Sequence, residues 1–174
     1  MKAEVLRQIP EVENFLRQCE RLTFKQRQTI VKQGDPSDSI YLILEGSVSV
    51  IIDGDDDDAH QEMVVSYLNP GDFFGEMGLF GEEARTANLV ARVPVEVARI
   101  SYERFHQVKS NYPDILFVLT TQIGHRLRTT TRKLTDLAFV DVAGRIAQTL
   151  NDLTNQPDAM THPDGMQIKS TRQA

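Results

Sequence analysis

The sequence predicts an α+β chain: an antiparallel β-roll of the jelly-roll kind, then one long helix, then the start of a further small unit. Three observations carry this. Between about Leu22 and Ile100 short apolar runs alternate with turn residues, the pattern of an antiparallel sandwich or barrel. From Pro113 the apolar period turns helical and stays so as far as Leu137, too long for an ordinary surface turn or strand. After Phe139-Val140-Asp141 new cap and turn signals begin. The implied divisions are 1–112, 113–138 and 139–174.

Taken in order, the opening twenty residues read as an amphipathic helix on Val5, Leu6, Ile9, Val12, Phe15, Leu16 and Cys19. Strands follow at Ser39–Leu44, stopped by Glu45-Gly46, at Val48–Ile52, and at Met63–Leu68, stopped by Asn69-Pro70-Gly71-Asp72. Two more are expected at Thr86–Val90 and Val95–Ile100. The acidic run Asp53-Gly54-Asp55-Asp56-Asp57-Asp58 lies between two of them. It lacks the distal glutamate of a calcium hand, and the plainer reading is a solvated hairpin loop held open by self-repulsion.

On the long helix, Leu116, Thr120, Ile123, Leu127, Thr130, Leu134 and Leu137 step alternately by four and three. This is a heptad seam, the mark of two helices pairing side by side. The competing reading lays the helix along its own barrel, which also needs an apolar stripe. Two threonines weaken the seam, and a polar seam position carries a cost that asks for a reason. Beyond it, Asp141 is a candidate cap for a helix carrying Ile146, Leu150 and Leu153. Turns are expected at Pro157-Asp158 and His162-Pro163-Asp164-Gly165, then a short strand at Met166-Gln167-Ile168 and a cap at Thr171.

Composition narrows the function. With 174 residues, 40% hydrophobic and 25% charged, the chain has material for a real core, and wholesale disorder is excluded. No apolar run approaches the roughly 18 residues of a membrane span, and Lys2, Glu4, Arg7, Glu11 and Glu13 spoil a signal peptide. A single cysteine, Cys19, excludes an internal disulfide and thiolate metal centres within one chain, and suits a reducing, cytoplasmic setting. A net charge of -6 is not that of a polycation binding nucleic acid through bulk charge.

The chemistry concentrates in Phe73-Phe74-Gly75-Glu76-Met77-Gly78-Leu79-Phe80 and Arg85-Thr86-Ala87. Gly75 and Gly78 let a backbone approach an anion and present amides to it. Arg85 offers a planar fork to a phosphate and Thr86 a hydroxyl. Glu76, which would repel phosphate, is suited to accept from sugar hydroxyls. Phosphate donors beside a ribose acceptor describe a nucleotide site. The same residues also suit a glycine turn closed by an Arg85–Glu76 ion pair, and the pattern alone leaves both open.

Gly75-Glu76-Met77-Gly78-Leu79-Phe80…Arg85-Thr86-Ala87 resembles the phosphate-binding cassette of cyclic-nucleotide-binding domains. Gly144–Leu150 and Gln156–Met166, with Val48–Val50, Ser66–Phe73, Asn111–Leu116 and Leu137–Val142, resemble the bacterial cyclic AMP receptor proteins (catabolite activator proteins). The similarity runs through nearly the whole chain. It implies a cyclic AMP-sensing, homodimeric transcription regulator with cyclic AMP as allosteric ligand. Arg85 and Thr86 would hold the cyclic phosphate. Glu76 would accept from the ribose 2′-hydroxyl, helped by backbone groups of Gly75, Met77 and Gly78, and Ser66 and Leu68 would line the pocket. Thr130 and Thr131 would reach the adenine amino group, the second from the partner subunit, which gives the polar seam position Thr130 its reason. Arg126 would join pocket to helix, or else be a solvated helix arginine.

The resemblance further implies promoter DNA and RNA polymerase as partners of the full-length protein, and a winged helix-turn-helix that begins where this chain stops, with Thr171-Arg172-Gln173 as its first turn. Departures touch selectivity. The Gly81–Ala84 spacer is a residue short, the Asp53–Asp58 hairpin is long, and Thr86 and Thr131 stand where serine is common. Cyclic GMP and cyclic di-GMP therefore stay as alternative ligands, as does another signal such as a redox state or haem on the same fold. A cupin-like metalloenzyme would use His60, His106, His125 and His162, which lack close ligand spacing on one strand. No nucleophile–base spacing stands out, so no catalysis and no metal are expected.

Overall fold

A computed structural model describes residues 11–54, 62–139, 144, 149–151, 160–162 and 165–167. The expectations at Val5, Leu6 and Ile9, at Asp55–Asp58, and at Asp141, Ile146, Leu153, Pro157-Asp158, Pro163-Asp164, Ile168 and Thr171 lie outside these residues. The chain divides into two compact units, 1–123 and 124–174.

The first unit holds two four-stranded antiparallel sheets. One has the order β1 (Glu20–Phe24), β8 (Val95–Ser101), β3 (Ser39–Glu45), β6 (Phe73–Phe74). The other runs β2 (Thr29–Val31), β7 (Asn88–Ala91), β4 (Val48–Asp53), β5 (Glu62–Leu68). Successive side chains on a strand point to opposite faces, and β3 uses both. Tyr41 and Ile43 join Val48, Leu68, Phe74, Leu89, Val95 and Val97 in one apolar cluster. Ile40 and Leu42 join Phe15, Phe73, Ala98, Ile100, Phe105, Ile115 and Leu119 in a second, on the helical side. A strand covered on both faces reads as a continuous apolar run, which is why Ile40-Tyr41-Leu42-Ile43 shows no alternation in sequence.

Three helices build that second cluster: α1 (Val12–Leu16), α2 (Tyr102–Val108) and the start of α3 (Pro113–Phe139). The helix expected across the first twenty residues is corrected, over its described part, to Val12–Leu16. Cys19 lies beyond it, its thiol donating to the Phe15 carbonyl at 3.5 Å, and burial pushes that thiol up to about 12. The strand expected at Thr86–Val90 begins only at Asn88. The backbone before it is committed elsewhere: the Arg85 N–H donates to the Asp35 carbonyl at 2.8 Å, and the Arg85 carbonyl accepts from the Gly34 N–H at 2.9 Å. Helix α2 escaped the sequence reading although Ser101 caps it, accepting from the Arg104 N–H at 3.2 Å.

The long helix packs one face on the core of its own unit, and the seam residues divide between that core and solvent. Ile115 and Leu119, 1% and 3% exposed, sit in the core of the first unit. Seam residues Leu116 and Ile123 are partly buried beside that core, whereas Thr120, Leu127, Thr130 and Leu134 are exposed. Leu127 and Leu134 are 67% and 62% exposed, which leaves them open to a second helix. In the second unit β9 (Met160–His162) pairs antiparallel with β10 (Gly165–Gln167), so the strand expected near Met166 has a partner that the sequence reading lacked.

The exposed seam predicts that the chain sediments as a dimer and that Leu127→Asp makes it monomeric in analytical ultracentrifugation. A Leu127→Asp protein that still sediments as a dimer would refute the seam.

Candidate functional site

The two glycines of the cassette are held by steric necessity. Gly75 has φ +75°, a conformation that side chains rarely take. A Cβ there would meet Arg85 Nη1 at 2.6 Å and the Ser39 carbonyl at 2.9 Å. Gly78 lies against Tyr102, and a Cβ on it would meet the Tyr102 ring and hydroxyl at 2.5 Å and Ser37 Oγ at 2.6 Å. Between and after them the chain turns as a short 3₁₀ helix, Glu76–Phe80. The leading N–H groups of such a turn have no partner within it. Glu76, 6% exposed, is buried at its start, while Met77 and Phe80 are exposed.

Arg85 is the centre of the site. It is 7% exposed, and a buried guanidinium needs acceptors to offset its lost hydration. Its Nη1 donates to the Ser39 carbonyl at 2.8 Å and to the Gly75 carbonyl and Tyr102 hydroxyl oxygen at 3.3 Å each. Its Nη2 donates to Asp38 Oδ1 at 3.3 Å. The guanidinium carbon stands 5.6 Å from the centre of the Tyr41 ring, itself stacked on Phe74 at 4.8 Å. A guanidinium carries five N–H donors. These partners engage Nη1 and one hydrogen of Nη2, so the Nε edge of the fork keeps donors for a ligand oxygen.

Around it lies a polar ring that the sequence reading did not assemble. Asp38 also accepts from Arg99 Nη2 at 3.1 Å through Oδ2, and Arg99 Nε donates to Ser39 Oγ at 3.0 Å. The Tyr102 hydroxyl donates to the Gly75 carbonyl and lies 2.7 Å from Ser37 Oγ. The register explains the gathering: β3 pairs with β8 so that Ser39 faces Ser101 and Tyr41 faces Arg99, setting Tyr102 beside the cassette. A pairing between segments about sixty residues apart leaves no local pattern. The one available signal was Ser101, whose cap begins the helix that carries Tyr102. Burial pushes the Tyr41 hydroxyl above its usual range, so it stays neutral beside the two arginines.

The remaining expected residues fall in three places. Thr86 is exposed next to buried Arg85 and Ala87. Ser66 and Leu68 share one face of β5, the first exposed and the second buried in the intersheet cluster. Arg126, Thr130 and Thr131 lie on α3 in the second unit, the threonines exposed. Arg85 forms an ion pair with Asp38 at 3.3 Å, a partner different from the Glu76 of the plainer reading. Among the described residues no group of three His, Cys, Asp or Glu side chains is placed to hold a metal ion. None of the described helices is long and apolar enough to cross a membrane.

The chain is similar to known proteins along most of its length. The family model described as the cyclic nucleotide-binding domain matches residues 21–112. The cAMP-activated global transcriptional regulator Vfr of Pseudomonas aeruginosa is 48% identical over 95% of this chain and 78% of its own length. The cAMP-activated global transcriptional regulator CRP of Salmonella typhimurium is 50% identical over 94% of this chain and 77% of its own. Among solved structures, the c-di-GMP responsive global regulator CLP of Xanthomonas campestris matches with a TM-score of 0.81 and 41% identity, over 90% of this chain and 77% of that one.

Removing the Tyr102 hydroxyl would leave the Gly75 carbonyl and Ser37 without that partner. Tyr102→Phe is expected to lower stability by about 0.5–1.5 kcal/mol, read as a lower urea midpoint with unchanged slope. An unchanged midpoint would mean the hydroxyl does not hold the cassette.

Proposed function

The chain belongs to the cyclic AMP receptor protein family of bacterial transcription regulators, and from that premise we propose that it is the cyclic AMP-sensing, dimerising part of a ligand-gated regulator. The carrying observation is Arg85: a guanidinium nearly out of water, fixed by two backbone carbonyls and a tyrosine hydroxyl at the mouth of a glycine turn. Such a fork is shaped and charged for a phosphate diester.

In this reading Arg85 and Thr86 hold the cyclic phosphate, and the backbone of Gly75, Met77 and Gly78 follows the sugar. The buried Glu76 carboxylate accepts from the ribose 2′-hydroxyl, and Ser66 and Leu68 line the pocket. Thr130 and Thr131 read the adenine amino group, one from each subunit, and Arg126 supports the link from pocket to helix. Cyclic AMP then favours the paired arrangement of α3, because it binds that arrangement more tightly than the alternatives. The partners are a second copy of the chain and, in the full-length protein, promoter DNA and RNA polymerase. The protein works in the cytoplasm as a switch and catalyses no reaction.

A second reading has its own support. The Xanthomonas neighbour is described as c-di-GMP responsive at 41% identity, and Thr86 stands where serine is common in the family. Cyclic GMP or cyclic di-GMP would then be the ligand of the same fold.

Calorimetric titration with cyclic AMP, cyclic GMP and cyclic di-GMP decides between them. Cyclic AMP is expected to bind tightest. A charge-assisted hydrogen bond contributes about 1.5–3 kcal/mol, so Arg85→Leu is expected to weaken binding by roughly ten- to hundredfold. Equal affinity in the variant would remove Arg85 from the site, and tightest binding of cyclic di-GMP would favour the second reading.

A further inference from the structure

Gln122 is polar where the core-facing side of α3 is otherwise apolar. It follows Ile115 and Leu119 at helical spacing, is 8% exposed, and spends both ends of its carboxamide on one turn of backbone. Its Nε2 donates to the Gly71 carbonyl at 2.7 Å, and its Oε1 accepts from the Phe73 N–H at 2.9 Å. Those two groups flank Asp72, 1% exposed. The Asp72 Oδ2 accepts from the Asn69 N–H at 3.0 Å. The same turn is tied to β3, where the Ile43 N–H donates to the Asp72 carbonyl at 3.0 Å and the Ile43 carbonyl accepts from the Gly71 N–H at 2.9 Å.

Directly after this turn come Phe73 and Phe74, paired with Leu42 and Tyr41, and then Gly75, whose carbonyl receives Arg85 and Tyr102. Two directional bonds fix α3 in translation as well as in distance. A slide of one residue along the axis, about 1.5 Å, breaks both, whereas Ile115 and Leu119 tolerate such a slide far better. An apolar side chain at 122 would hold the helix down without setting its register. Burying a carboxamide is costly unless both ends are met, and here one is met by the turn before β6 and the other by the first residue of β6.

We infer that Gln122 is a positioning residue that couples the cassette at Gly75–Arg85 to the seam on α3, by locking the register of the helix to the turn before β6. This rests on the cyclic-nucleotide reading of the cassette and adds, beside the direct adenine contacts of Thr130 and Thr131, a second route by which occupancy reaches the seam. Coupling is a difference between two ligand states, so its test must be a difference too.

Hydrogen exchange read by mass spectrometry supplies one. On the 174-residue chain, cyclic AMP is expected to slow exchange both over 73–86 and over 124–135. In Gln122→Met it slows 73–86 as before, but the slowing over 124–135 shrinks by about threefold or more. A purely structural glutamine would give faster exchange in the variant with and without nucleotide, and an unchanged nucleotide-dependent difference; that result overturns the proposal. If Gln122→Met fails to fold by circular dichroism, Gln122→Glu takes its place. It keeps an acceptor for Phe73 and loses the donor to Gly71, so undiminished coupling in it overturns the proposal equally. Absence of any cyclic AMP effect on 73–86 in the parent chain defeats the cyclic-nucleotide reading itself, and the coupling with it.

Discussion

Arg85 donates to the carbonyls of Ser39 and Gly75 from a position almost closed to water, and much of the first unit is arranged to make that possible. Desolvating a guanidinium costs several kcal/mol, which only well-placed acceptors offset. The carbonyls are placed because Ser39 opens a strand paired with β8 and because Gly75 takes a left-handed turn that no other residue type tolerates as easily. The Tyr41 ring backs the cation from within the intersheet cluster. Asp38 supplies one carboxylate, shared with Arg99, which also lies 3.8 Å from Glu20 Oε2.

Long helix α3 serves two masters through two faces. One face is committed to its own core through Ile115, Leu119 and the carboxamide of Gln122. The other presents Leu127 and Leu134 to solvent, the residues proposed to pair with a second helix. A helix that is bonded to the strand entering a ligand cassette and also offers a pairing seam has the parts a ligand switch requires: a place where binding energy enters and an arrangement it can favour.

Much of this was legible in the sequence, for local reasons. The strands at Ile40–Ile43 and Val48–Ile52 and the helix from Pro113 announce themselves through apolar period and turn residues, and Gly75, Gly78 and Arg85 through residue types that suit anions. Asp38, Ser39, Arg99 and Tyr102 were not legible. They reach Arg85 through the pairing of β3 with β8, and long-range register leaves no trace in neighbouring residues. Gln122 was missed because a single polar residue on a mostly apolar helix face looks solvated until the turn that receives it is known. The late start of β7 has a similar cause: Arg85 gives its backbone to the loop at 34–35, which propensity at Thr86 and Ala87 cannot reveal.

The central claim is that this guanidinium receives a ring-closed phosphate. A crystal structure of the chain grown with cyclic AMP tests it most directly. The account predicts exocyclic phosphate oxygens within hydrogen-bonding distance, about 2.7–2.9 Å, of the Nε edge of Arg85, with the ribose beside Glu76. A nucleotide bound elsewhere, with Arg85 still held only by Ser39, Gly75, Tyr102 and Asp38, would contradict it.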